Sequence, residues 1–307
     1  VLPMDAFARC WVQESKLFDS IGRAIPNELQ AAFSELRTVW LRGRRAIYAS
    51  SVEAIARHIR LLVTAAETLP AVSLKERALT VAKRLGLKTP ERDARDALAD
   101  AQTALASEAA DSFCALTNKL IDINGLKGKG VSKEILRRMK TDWHLATYSV
   151  DAASAAAIGT GLGAASGAAA AGLTVDAATG GLSLGLGTLL GGLIGAIGGL
   201  GAAAAYNLRS DKKGTELAWS DKAVSSFILE AVLLYLAVAH FGRGRGEWAE
   251  SESPAFWKEA ALEALKERSG DLKKIRLLDQ DAMEGRLVLT IDSLIRTIFV
   301  RLYGLSV

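Results

Sequence analysis

The 307 residues suffice for one large or two ordinary domains, and half are hydrophobic while only 6% are aromatic, so the apolar excess is aliphatic and alanine. A net charge of +4, with acidic and basic residues interleaved through most of the chain, argues against a nucleic-acid partner. Cys10 and Cys114 are the only cysteines and lie far apart, which excludes a disulfide framework and reads as two buried thiols in a reducing compartment.

Five prolines beside long amphipathic stretches predict an all-α architecture, because helix interiors tolerate few prolines. The opening Val1-Leu2-Pro3 has neither a basic n-region nor a cleavage site, so no signal peptide is expected. Residues 4–22 read as a first helix carrying Phe7, Trp11, Leu17 and Phe18, stopped near Gly22 and Pro26. From Leu29 the positions Leu29, Phe33, Leu36, Trp40, Gly43, Ile47, Ser50 and Ala54 step by four and three, a coiled-coil-like spacing that continues through Ile59 and Leu62 and ends at Pro70. Ser73 and Glu76 form a capping box for a short helix to Leu85, closed by Gly86. Thr89-Pro90-Glu91 supplies an N-cap, a proline at the first helical position and a first-turn acid for a helix to Ile123. A basic loop follows through Lys127-Gly128-Lys129-Gly130, then a helix from Ser132 through Trp143 and Tyr148.

Here the composition changes. Residues 152–175 and 177–208 carry no charge, Asp176 alone separates them, and fifteen of the 28 glycines fall within 159–201. Two uncharged arms with a short break predict a helical hairpin over 152–208; at about 1.5 Å per residue the first arm reaches roughly 36 Å, enough for a hydrocarbon core of about 30 Å. Gly159, Gly163 and Gly167 recur every four residues in the first arm, as do Gly187, Gly191, Gly195 and Gly199 in the second. Each series lies on one helical face, where repeated glycine admits a second backbone. The second arm's leucines and isoleucines are worth roughly −3 to −5 kcal/mol of insertion free energy before glycine is counted, the first arm's about −1 to −2, so the first is expected to enter paired with the second. Lysines and arginines precede the first arm, Arg209, Lys212 and Lys213 follow the second, and Trp143, Tyr148 and Tyr206 sit at the outer ends, the expected membrane-interface residues of a hairpin inserted from the cytoplasm. The alternative from the same residues is a soluble helical scaffold with the hairpin buried in its bundle.

After the hairpin, residues 221–241 read as an apolar helix broken by Glu230, 242–246 as a linker, Ser253-Pro254 as a helix start, and 272–303 as one or two amphipathic helices. The outline is therefore an N-terminal helical region 1–150, the hairpin 151–208 and a C-terminal helical region 209–307. His58, His144 and His240 lack a two-histidine zinc spacing and read as helix-surface or interfacial residues. The Lys127–Gly130 loop lacks the spacing of a phosphate loop, and Asn118-Lys119 is followed by Leu120-Ile121, not by a guanine-reading acid. No catalytic, cofactor or metal residue is expected in this segment. Trp219, Trp248 and Trp257 read as core packing.

The opening Met4-Asp5-Ala6-Phe7-Ala8-Arg9-Cys10-Trp11-Val12-Gln13-Glu14 and the stretch Ala177-Ala178-Thr179-Gly180-Gly181-Leu182-Ser183-Leu184-Gly185 resemble an uncharacterised bacterial family in which a domain of about this length follows an Era-like GTPase domain. The resemblance implies that GTP and Mg belong to an upstream domain, whose covalently linked partner is this helical, membrane-associated segment. The basic flanks and the hairpin put the expected location at the cytoplasmic face of the inner membrane, or in the cytoplasm under the scaffold reading, with a lipid membrane, a second copy or a helical protein as partners.

The glycine face itself is testable. Gly191→Ile or Gly195→Ile should disrupt folding or assembly, while Leu189→Ile, off that face and conservative in volume, should be nearly neutral. Circular dichroism, thermal melting and oligomer size check this, and no change at either glycine would make the spacing an accident of composition.

Overall fold

The computed structural model of the protein describes residues 10–69, 91–127, 206–211, 214–241 and 255–304. The helices expected at 73–85 and 132–148, both hairpin arms up to residue 205 and the 242–246 linker lie outside them.

Helix α1, Trp11–Ala24, starts where the Cys10 backbone N–H donates to Gln13 Oε1 at 3.0 Å. It stops because Pro26 forces Ile25 into extended conformation, φ −77° and ψ 139°. The carbonyls left bare at its end accept from Gln30 Nε2, Gly22 O at 2.7 Å and Ile25 O at 2.9 Å. A one-turn 3₁₀ segment, Asn27–Leu29, leads into α2, Gln30–Thr64, 35 residues long. Phe18 packs on Phe33 and on Trp40, and Asp19 pairs with Arg37 at 2.5 Å, so α1 folds back along the first half of α2. Gly22 permits that approach: a Cβ there would meet the Phe33 ring at 3.1 Å. The predicted seam of α2 divides accordingly. Phe33, Trp40 and Ile47 are half-buried while Leu29, Leu36, Gly43 and Ser50 are exposed, and only from Tyr48 onward, through Val52, Ile55, Ile59 and Leu62, does α2 enter the core.

The sheet is the feature an all-α expectation did not contain. α2 ends at Thr64 and the chain continues as β1, Ala66–Leu69, where the sequence reading had extended the helix to Pro70. β2, Tyr206–Asp211, and β3, Gly214–Trp219, form an antiparallel hairpin, and the strand order is β1-β3-β2 with Ala66 opposite Ala218 and Asn207 opposite the same residue. The last three residues of the uncharged span, 206–208, are thus strand. The architecture remains mostly helical. Helix α3, Glu91–Ile123, buries Leu105, Ala109, Phe113, Leu116 and Leu120 at steps of three and four. It closes in a Schellman motif in which Gly125 takes φ +65°, its N–H donating to Asp122 O and that of Leu126 to Ile121 O. α3 runs antiparallel to α2, since His58 meets Ser112 while Ser50 and Ile123 line one groove.

Helix α4, Asp221–Ala239, begins at Ser220, whose Oγ accepts from Ala223 N at 3.1 Å, and it is buried almost throughout. By length and composition, mean hydropathy 1.8, it could cross a membrane, yet 78% of its apolar window is buried within the protein, as in the core helix of a globular body. α2, α3 and α5 pack around it. The rest of the wrapping comes from α5, Ala255–Glu267, α6, Ser269–Ile275, and α7, Gln280–Tyr303. Trp219 meets Phe227 edge-on at 5.0 Å, and Tyr235 bridges Tyr48 of α2 and Phe299 of α7. Cys10 and Cys114 are both buried free thiols, and burial pushes Cys10 up to about 12. α7 starts at Asp279, whose Oδ1 accepts from Ala282 N at 2.8 Å, and ends on Gly304 at φ +63°.

Glu230 sits buried on α4, and burial raises its carboxyl from 4.5 to about 7, partly offset by Lys258. A folded pKa above the unfolded one disfavours ionisation in the fold, so Glu230 lowers stability progressively as pH rises from 4.5 to about 7 and by a constant amount above. Glu230→Gln removes this titration. The variant should gain on the wild type over that window, reaching roughly 3 kcal/mol at pH 8, as measured by urea unfolding at a series of pH values.

Candidate functional site

Among the residues singled out from sequence, Gly159, Gly163, Gly167, Gly187, Gly191, Gly195, Gly199, Trp143, Tyr148, Lys212 and Lys213 lie outside the described residues. Tyr206 and Arg209 lie on β2, in register with Trp219 and Glu216 of β3. The β2–β3 hairpin therefore puts both at the edge of a sheet anchored to the helical body.

The polar chemistry of that body gathers along the second half of α2, in two clefts on either side of Glu53. The cleft against α3 encloses about 520 Å³ and is lined by Glu53, Arg57, His58, Ser112 and Lys119. His58 Nδ1 and Ser112 Oγ share a hydrogen bond of 2.7 Å, and the imidazole stands edge-on to Phe113. A serine beside a histidine is half of a nucleophilic pair, but burial lowers His58 from 6.5 to about 3, and its Nε2 has no hydrogen-bond partner among the described residues. An imidazole that stays neutral and has no carboxylate to orient it is a weak base, and the pair acts as a tie between α2 and α3.

The cleft against α7 encloses about 550 Å³ and is lined by Arg45, Tyr48, Glu53, Leu289, Asp292 and Arg296. Tyr48 donates to Asp292 Oδ1 at 2.8 Å, Arg296 Nε reaches both oxygens of the same carboxylate at 2.8 and 2.9 Å, and its guanidinium lies 5.6 Å from the centre of the Tyr48 ring. Burial and the Asp292 carboxylate together raise the Tyr48 phenol, so it stays a hydrogen-bond donor. One turn or more along, Glu284 of α7 takes Arg57 at 3.4 Å and Arg60 at 3.2 Å. At the far end His240 Nδ1–H donates to Leu236 O at 2.6 Å, leaving Nε2 to accept from Tyr303 O–H, while Trp257 covers the ring. His58 and His240 are thus core residues, which corrects their reading as surface or interfacial histidines. His58 stands between Arg57 and Arg60, as a surface residue would, and His240 closes an apolar run, so only burial identifies them as core. Trp219 and Trp257 are buried as expected, and Trp248 lies outside the described residues. The Tyr48–Asp292–Arg296 group was missed in the sequence; the i, i+4 pair Asp292/Arg296 is its one local signal.

These ties run between helices, two of them along the walls of the clefts. A family model matches residues 1–284. The chain belongs to the family described as Domain of unknown function (DUF3482). Nothing matches it among the curated proteins or the solved structures.

Asp292 holds Tyr48 and Arg296 at once, and so fixes α7 against α2. Asp292→Ala should therefore destabilise the fold by roughly 1 to 3 kcal/mol, the cost of a part-buried donor left without its acceptor, read as a lower urea midpoint at unchanged slope.

Proposed function

We propose that this chain is a non-catalytic membrane-associating effector segment, carrying a hydrophobic hairpin on a helical body, and that it forms the C-terminal part of an Era-like GTPase. The observation that carries the reading is that the described residues already form one contiguous apolar core, drawn from α2, α3, β3, α4, α5 and α7. A body with a core of its own leaves the longest uncharged stretch of the chain available to a bilayer. Allowing for β2, the second arm is 177–205, about 29 residues or roughly 43 Å as a helix, still longer than a hydrocarbon core of about 30 Å.

The position of the N-terminal root supports a link to an upstream domain. Cys10 is fully buried, and Trp11 packs on Tyr48 and hydrogen-bonds Tyr235, so a displacement of whatever precedes α1 would act directly on α2 and α4. Nucleotide state in the upstream domain would be relayed through this joint, and the membrane would be the cytoplasmic face of the inner membrane.

Removing residues 152–205 separates this reading from a scaffold with the hairpin at its centre. The body is left at Lys127, four residues past Ile123, which shares a groove with Ser50 of α2, and regained at Tyr206 on β2, the strand on the other side of β3 from Ala66. Residues 128–151 remain to span the gap. The full chain should float with vesicles of anionic phospholipid and resist carbonate extraction, while the deleted chain should stay soluble and melt cooperatively. An intact chain wholly in the soluble fraction, or a deleted chain that fails to fold, would overturn the proposal.

A further inference from the structure

The first half of α2 presents a second apolar stripe, on the side that α1 leaves open. Leu29, Ala32, Leu36, Val39, Gly43 and Ala46 follow one another at steps of three and four, the spacing of a coiled-coil seam. All six are exposed; Leu29, Leu36 and Val39 stand 56, 60 and 57% accessible. The half-buried Phe33 and Trp40, which meet Phe18 of α1, and the half-buried Ile47 lie beside this stripe and not within it. Gly43 is unexplained inside the chain, since it occupies a helix interior, where glycine is unfavourable, and a Cβ there would meet nothing within 4 Å. Glu35 and Arg42, which flank the stripe, make no ion pair among the described residues.

We propose that this stripe is the seam of an antiparallel contact between the α2 helices of two copies of the chain. The sequence is self-complementary in that arrangement. About a two-fold axis between Arg37 and Thr38, Leu36 faces Val39 of the second copy, Leu29 faces its Ala46, and Ala32 faces its Gly43, so large meets small at the outer layers and the backbones approach where the glycines lie. The same axis brings Glu35 alongside Arg42 of the second copy, twice over, so the flanking charges are complementary only in the antiparallel sense. In a parallel pair the same charges would flank the Trp40 and Ile47 positions of the second copy and stay unmatched. Gly43 then has its reason, as the position at which Ala32 of the other helix enters.

Sedimentation equilibrium of the full chain in one mild detergent, from low to high micromolar concentration, tests the seam. The wild type should be a dimer. Leu36→Glu with Val39→Glu should weaken association at least about tenfold, because each places an unpaired charge in the seam, with helicity unchanged and a melting temperature equal to that of the wild type at concentrations too low for it to associate, because both residues are exposed in the single copy. Glu35→Arg and Arg42→Glu should each weaken the dimer, and the two together should restore it. A wild type that stays monomeric throughout, including one that binds lipid or an upstream domain, overturns the proposal. So does a dimer indifferent to the two glutamates, or a double charge reversal as weak as the single ones.

Discussion

The fold depends on the burial of one helix. α4 is buried on every side from Phe227 to Val238, with Glu230 the one charged residue in that stretch, and so apolar a helix cannot lie on a surface. It must be enclosed by lipid or by protein. Here protein encloses it: α2, α3, α5 and α6 pack on it, α7 reaches it through Phe299 on Tyr235, and the β1-β3-β2 sheet caps its N-terminal end through Trp219 on Phe227. Composition alone leaves both solvents open, and packing decides between them.

With α4 enclosed by protein, the polar groups that remain inside do a different task. They set the register of helices that apolar contact alone would let slide. His58 with Ser112 fixes α3 on α2, Tyr48 and Arg296 on Asp292 fix α7 on α2, and His240 with Tyr303 fixes the end of α7 to the end of α4. Arg276 closes the sheet end, donating to Trp219 O at 2.7 Å and pairing with Asp221 at 3.0 Å. Both histidines are held neutral by burial and serve as hydrogen-bonding wedges, not as titrating groups near neutral pH.

Helix α2 joins two physical regimes. Its C-terminal half is core, and its N-terminal half leaves the body with only α1 beside it among the described residues. The α1–α2 pair thus presents a surface whose exposure follows from the shortness of α1, while the buried Cys10 and Trp11 root the pair at the point where α2 and α4 meet. Motion at the N-terminus and contacts along the free face of α2 are accordingly coupled to the same core.

Local chemistry determined much of this. A proline one residue before Glu91 and a glycine at Gly125 bound α3, Ser220 and Asp279 supply side-chain caps for α4 and α7, and Pro26 ends α1, so these helices are legible from neighbouring residues alone. The strands are not. Ala66-Glu67-Thr68-Leu69 has no period of its own and follows a helix without a break; it is a strand because β3, some 150 residues away, offers it a ladder of hydrogen bonds. The polar ties are equally long-range: Ser112 lies 54 residues from His58, and Asp292 lies 244 from Tyr48. The four-three spacing of α2 announced a helix with a packing seam, but which of its residues meet α1 and which stay open follows from the angle at which α1 docks, set by Gly22 against Phe33. Sequence by itself determined the helices, whose hydrogen bonds close within a few residues. Tertiary structure decided the sheet, the burial of both histidines and the enclosure of α4, because each of these needs a partner that the chain brings up only on folding.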